Sequence, residues 1–275
     1  MSDTRSSHHA EYALATGAAA VRRLTWLHNV CSPAGRRVLL KAGLKPGMKV
    51  ADFGCGPGMV TRMIAEIVGP TGSVTGVDIS AAQLHEAVEI SARQGFTNIT
   101  YVEASACDSG LPKASFDLAY CRFLLLHLPD PAACLQEMKS LLKPGGILFI
   151  EDGDLTAAAS YPPTALNAFA DLFGRLGPTR GLDYAIARNV YALVKSAGIH
   201  DLDAEVHQPT MVAGEGRYLL KWSVEEAGTA FIGAGLISPE ELDRTLTKMQ
   251  QAIDDPNVLI LGPKMFLVWG KTAEA

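Results

Sequence analysis

The chain has 275 residues, 48% of them apolar, with 24 lysines and arginines against 29 aspartates and glutamates. The apolar share suffices for a sizeable core, and a net charge of −5 offers no basic field for nucleic acid. Cys31, Cys55, Cys107, Cys121 and Cys134 are scattered, with no C-x-x-C pair and no histidines at zinc spacing, so reduced thiols in a cytoplasmic protein and no metal site are expected. The start, Met1–Ala10, is polar and lacks a signal core, and no apolar run is long enough to span a bilayer.

Glu11–Lys41 predicts one or two helices, with Leu14, Ala18, Val21, Leu24 and Leu27 on one face and Ser32–Pro33 able to start the second. Arg22 and Arg23 read as surface charges. Lys45–Pro46–Gly47 is a turn, and Val50–Asp52 a strand ending in an acid. Glycines at 54, 56 and 58 then lead into a helix over Met59–Val68. A second strand, Ser73–Val77, ends at Asp78. Ser80, with Gln83 three residues on, predicts a capping box opening a helix to Arg93. Strands follow at Ile99–Glu103 and Ser115–Cys121, and Asp130–Pro131 starts a helix carrying Leu135, Met138 and Leu142 on one face. Lys143–Pro144–Gly145–Gly146 turns into a fifth strand, Ile147–Glu151. This alternation predicts a parallel, doubly wound sheet. Beyond it, Pro162–Leu176, Tyr184–Ala197, Arg217–Ile232 and Ser238–Ile253 look helical. Ser238, Pro239 and Glu241 form a capping box at the start of the last of these. Leu202–Met211 and Val258–Trp269 are expected as the sixth and final strands.

The turn after the first strand carries the chemistry. Dinucleotide enzymes favour G-x-G-x-x-G, which receives a pyrophosphate. Here the order is acid-x-G-x-G-x-G, Asp52 to Gly58. A carboxylate just before the turn suits a ligand carrying an ammonium. Asp78, at the tip of the second strand, can accept both hydroxyls of a vicinal diol.

Asp52–Gly58, Phe116–Asp117–Leu118–Ala119 and Leu142–Lys143–Pro144–Gly145–Gly146 together resemble motifs of the class I S-adenosylmethionine (SAM) dependent methyltransferases, of the bacterial small-molecule type. The resemblance covers roughly Val50–Asp152 and extends weakly to the tail. It implies an α/β, Rossmann-like seven-stranded mixed sheet (the class I methyltransferase fold) with an antiparallel final strand and a helical cap. It divides the chain into a helical cap at 1–45, a SAM-binding core at 46–155, and cap helices with sheet-completing strands at 156–275. It places the cofactor at Asp52, Gly54, Cys55, Gly56 and Gly58, with the ribose on Asp78 and the adenosine bordered by Ile79 and Gln83. The adenine loop would be Ser105, Ala106 and Cys107. Relatives often carry an acid where Ser105 stands, which removes a charged adenine contact. Cys121 and Arg122 end a strand on the cofactor side, and Tyr12 would shield the sulfonium from an N-terminal lid.

For catalysis the candidates are His127 as a base, and Asp152 and Asp154, which follow the fifth strand and could orient a substrate amine or take a proton. The expected partner is a small-molecule acceptor, without nucleic acid or membrane, and a homodimer is admitted. Two other readings stay open. A nicotinamide oxidoreductase shares the strand–turn–helix start but not the glycine spacing. A cyclase or rearrangement catalyst on the same fold would keep the cofactor without methyl transfer.

Overall fold

The structure, a computed structural model, describes residues 18–274; Tyr12 lies outside them. The chain runs α1 (Ala18–Ala42), β1 (Lys49–Phe53), α2 (Met59–Val68), β2 (Ser73–Asp78), α3 (Ala81–Arg93), β3 (Ile99–Glu103), β4 (Phe116–Arg122), α4 (Pro131–Leu141) and β5 (Leu142–Asp154). It continues through β6 (Ala159–Tyr161), α5 (Ala168–Thr179), α6 (Val190–Ser196), β7 (His200–His207), β8 (Thr210–Met211), α7 (Leu219–Glu226), α8 (Gly228–Gly233), α9 (Pro239–Asp254), β9 (Leu259–Leu261) and β10 (Lys264–Lys271).

The main sheet has seven strands in the order β3-β2-β1-β4-β5-β10-β7. The first five pair in parallel. β10 runs antiparallel to both β5 and β7, as the resemblance implied. The central parallel strands β1, β4 and β5 are covered on both faces. On one, Cys31, Val38 and Leu39 of α1 and Ile64 and Val68 of α2 pack over Val50, Leu118, Phe149 and Trp269. On the other, α4, α5 and α6 close a larger core around Phe53, Leu148, Ile150 and Phe173. Burial on both faces is why β1 and β5 read as near-continuous apolar runs.

α1 is one helix, not two, and carries Pro33 inside it. Pro33 removes one backbone donor, yet Cys31 before it and Val38 and Leu39 after it are buried on the same sheet face. Ser32, expected as a cap, instead hydrogen-bonds His28 Nδ1 at 3.0 Å. At α3, Ser80 Oγ accepts from Gln83 N at 3.4 Å, but Ser80 N donates to Asp78 Oδ1 at 2.9 Å, so only half of the expected box forms. The box at Ser238 and Glu241 is complete.

The second half departs most. Each long strand expected there is cut in two, Leu202–Met211 at Gln208–Pro209 and Val258–Trp269 at Gly262–Pro263. Proline lacks the ladder donor, and both strands leave the main sheet at the same level. Their tips, β8 and β9, join β6 in a three-stranded sheet ordered β6-β9-β8. Gln208 Nε2 pins the fork, donating to Ala157 O at 2.8 Å and Gly262 O at 3.0 Å. The helix expected from Pro162 starts at Ala168, after Pro162 and Pro163, and the Tyr184–Ala197 helix begins as a 3-10 turn. Arg217–Ile232 breaks into a 3-10 turn, α7 and α8.

Candidate cofactor and acceptor site

Sheet order reverses between β1 and β4, and ligands of open α/β sheets bind at such a switch point, outside the carboxyl ends of the strands. Gly54, Gly56 and Gly58 lie there with φ of 65°, 52° and 74°, the left-handed region that favours glycine. A Cβ on Gly54 would stand 2.9 Å from Leu124 Cδ1, and one on Gly56 2.8 Å from Gln83 Oε1. The turn therefore presents bare backbone. α2 begins immediately after it, with no side chain capping its first N–H groups, which leaves donors and a partial positive charge facing the crevice. Cys55 turns its side chain inward and is buried, so only its backbone faces the turn.

Asp78 ties the turn to β2. Its Oδ2 accepts from Gly56 N at 2.8 Å and its Oδ1 from Ser80 N at 2.9 Å. The carboxylate is half-buried and keeps lone pairs for further donors. Ile79 beside it is 57% exposed, an apolar surface at the strand tip. Ser105, Ala106 and Cys107 form a tight loop after β3 in which Cys107 N donates to Ser105 Oγ at 3.2 Å. A hydrogen bond with Cys134 is the main cause that lowers the Cys107 thiol to about 7.

Asp52 lies beneath the turn, 2% exposed, and accepts from Thr61 Oγ1 of α2 at 2.6 Å. Burial pushes its carboxyl up to about 7, against the opposing pull of Thr61 and Arg122. Cys121 is fully buried in the core, with its thiol raised by burial. Arg122 turns toward α1, donating from Nη1 to Ser32 Oγ at 3.1 Å and approaching His28 Nδ1 to 3.2 Å. Burial and then Arg122 hold His28 down to about 4, so its ring is neutral and accepts from the guanidinium.

Asp152 is buried and takes Leu125 N at 2.8 Å and Gly153 N at 2.8 Å. It thereby anchors the 3-10 turn Leu125–His127, and burial raises it to about 7. Asp154 accepts from Thr156 N at 2.9 Å and pairs with Arg188 Nε at 2.7 Å. Both aspartates thus engage their oxygens in holding chain segments.

The segment after β4 joins two compartments. Leu124 covers Gly54 of the glycine turn. Phe123, held at φ 50°, lines an apolar cavity of about 60 Å³ with Leu126, His127, Phe169, Phe173 and Arg23. A non-glycine residue at positive φ is a strained feature that clusters at functional sites. His127 faces Tyr184 edge-on at 6.0 Å, and burial, with Arg23, lowers it to about 3. Arg23 is not a surface charge. It is 4% exposed and pairs with buried Glu226 at 2.8 Å. Its place four residues before Leu27, on the flank of the apolar stripe, is the signal the sequence carried. No group of three or more potential metal ligands occurs among the described residues.

Residues 44–176 match the family model of a methyltransferase domain. A demethylmenaquinone methyltransferase of Staphylococcus aureus (strain JH9) is 36% identical over 113 residues, covering 41% of this chain and 46% of that protein. The chain thus matches about half the length of this curated relative. A candidate methyltransferase of Bacillus halodurans C-125 superposes with a TM-score of 0.60 at 18% identity, covering 86% of this chain and 98% of that one. The Haemonchus contortus phosphoethanolamine N-methyltransferase 2, solved with SAM, gives a TM-score of 0.55 at 19% identity, covering 93% of this chain and 53% of that one. These likenesses establish the class I methyltransferase fold.

Proposed function

We propose that this chain, whose residues 44–176 form a methyltransferase domain on the class I fold, moves a methyl group from SAM to a small, apolar acceptor. The observation that carries this reading is the junction at Phe123–His127. One end of the segment closes on the bare glycine turn and the other lines the apolar cavity.

The residues present fit the cofactor. Asp78 offers acceptors to the ribose hydroxyls, and the turn Gly54–Gly58, with Cys55 giving backbone only, packs against the amino-acid end. Asp52 supplies negative charge beneath the ammonium. Ile79 and Gln83 flank the adenosine, and Ser105, Ala106 and Cys107 close on the adenine. Arg122 uses two contacts on α1 and keeps further donors for the carboxylate. Buried Cys121 backs the site from the core.

Bound SAM supplies an electrophilic methyl on a sulfonium sulfur. The chain's task is alignment and exclusion of water, which together supply on the order of 7–11 kcal/mol in favourable systems. Phe123, Phe169 and Phe173 keep the cavity dry. His127, neutral and with a lowered pKa, is a poor general base at neutral pH; it orients the acceptor by hydrogen bonding. Asp152 sets the backbone of that segment through Leu125 N, and Asp154 holds the next one through Thr156 and Arg188, so both are positioning residues. In this scheme 46–155 binds the cofactor, and 1–45 with the helices of 156–275 shapes the acceptor pocket. No helix among the described residues is long and apolar enough to cross a membrane, and the free cysteines suit a cytoplasmic protein. The scheme admits a homodimer, and in it the chain acts without nucleic acid.

Calorimetry with S-adenosylhomocysteine, followed by product mass after incubation with SAM and apolar acceptors, tests the reading. A demethylated menaquinone analogue, suggested by the Staphylococcus relative, is one acceptor to include. Binding and a product heavier by one methyl group are expected. Failure to bind S-adenosylhomocysteine at millimolar concentration would overturn the assignment. Binding with a product of unchanged mass would favour a cyclase or isomerase on this fold.

A further inference from the structure

Arg23 stands out among the cavity-lining side chains. Its Nε donates to Glu226 Oε2 at 2.8 Å, and both side chains are buried. Its Nη2 is buried without a hydrogen-bond partner among the described residues. Buried donors are almost always satisfied, and Arg23 is a lining residue of the apolar cavity, so this unmade hydrogen bond points to a ligand atom entering beside the guanidinium.

We propose that Arg23 selects the acceptor: the cavity takes an aromatic or alicyclic ring bearing an uncharged oxygen acceptor, such as a carbonyl, and Arg23 Nη2 donates to that oxygen. This inference rests on the methyltransferase reading for the molecule's purpose, though not for its binding.

Five features of the cavity and its surroundings point the same way. Phe123, Phe169 and Phe173 line it, and aromatic walls favour a ring packed edge-on or offset. Its volume of about 60 Å³ is room for about four waters, enough for one ring or its edge. Glu226 already balances the guanidinium, so an anionic ligand would bring an unbalanced negative charge into an apolar enclosure. His127 is neutral at working pH and adds no second cation. Ser223, a hydroxyl-bearing wall residue, donates back to Leu219 O at 2.9 Å within its own helix.

Matched probes test the proposal: acetophenone, ethylbenzene and benzoate, titrated by NMR into the full chain. In the wild type acetophenone should bind about tenfold more tightly than ethylbenzene, or about 1.4 kcal/mol, and more tightly than benzoate. Arg23→Lys keeps a cation for Glu226 but loses the second planar donor; it should bring the acetophenone-to-ethylbenzene ratio near one. The double variant Arg23→Met with Glu226→Met removes both charges together and should do the same, which guards against misfolding of the single change. A wild-type ratio near one, a ratio retained in both variants, or tightest binding of benzoate would each overturn the proposal. Calorimetry with S-adenosylhomocysteine on the same preparations separates the two readings. Normal cofactor binding with a flat probe ratio sinks this inference alone. Absent cofactor binding sinks the methyltransferase reading, while the probe ratio still judges Arg23.

Discussion

Replacing Asp78 probes the cofactor site most directly. Its carboxylate holds two backbone donors, Gly56 N at 2.8 Å and Ser80 N at 2.9 Å, and is expected to hold the ribose diol as well. Hydrogen bonds to an ionised group contribute about 1.5–3 kcal/mol each. Asp78 is half-buried, so the lower figure applies. Asp78→Ala should therefore remove about 3 kcal/mol of diol binding, a weakening of S-adenosylhomocysteine by roughly 150-fold. Asp78→Asn keeps one acceptor and should lose about tenfold. Part of either effect could come from a loosened glycine turn. The 2′-deoxy ligand separates the two causes through a double cycle. Removing the 2′-hydroxyl should weaken wild-type binding about tenfold and leave the Asp78→Ala variant unaffected. Calorimetry on variants shown to be folded by circular dichroism is the assay. An alanine variant that binds within threefold of wild type refutes the ribose assignment. Equal deoxy penalties in the two proteins show that Asp78 acts on the turn alone.

Asp52, pushed up to about 7 by burial, is protonated below that pH, and the cofactor's ammonium favours its ionised form. Affinity for S-adenosylhomocysteine should therefore be full above pH 7 and fall about tenfold from pH 8 to pH 6; a flat profile, or one unchanged in Asp52→Asn, contradicts this. Cys107, lowered to about 7 with Cys134 as first cause, should react with iodoacetamide before the four buried thiols. S-adenosylhomocysteine should slow that reaction, and equal labelling with and without ligand would move the adenine elsewhere. Arg217 is buried and donates to carbonyls that include Ile253, Val258 and Asp255, at 3.0, 2.9 and 2.9 Å, so Arg217→Met should cost about 3–5 kcal/mol. A melting temperature lowered by roughly 10 °C is expected, and a drop under about 3 °C would show those bonds to be dispensable.

The first half of the fold was legible because its signals are local. Strands β1 to β4 and the Ile147–Ile150 part of β5 are short runs bounded by caps and glycine turns within a few residues of each element. The second half depended on where one segment meets another. Pro209 and Pro263 lie in segments that alternate well enough to read as single strands, and nothing nearby shows that their tips belong to a separate sheet. The fork is set by Gln208 reaching Ala157 and Gly262, 51 and 54 residues away. α1 shows the same limit from the other side. Ser32–Pro33 is a sound local signal for a new helix, and burial of Cys31, Val38 and Leu39 on one sheet face overrides it.

At the site the same division separates backbone from side chain. The places of the glycine turn and of Asp78 were readable because they belong to a strand–turn–helix unit that carries its own geometry. The side-chain contacts of Arg122 and Arg23 were not, because each is oriented by a distant partner. Arg122 reaches Ser32 and His28, 90 and 94 residues away, and Arg23 reaches Glu226 at a separation of 203. Both contacts run through α1. Its first turns wall the apolar cavity through Arg23, Leu24 and Leu27, while His28 and Ser32, within three turns of Arg23, grip the strand end at Arg122. An apolar helical stripe specifies that α1 will be buried. The polar residues on its flank decide what it is buried against, and they place one helix against both halves of the site.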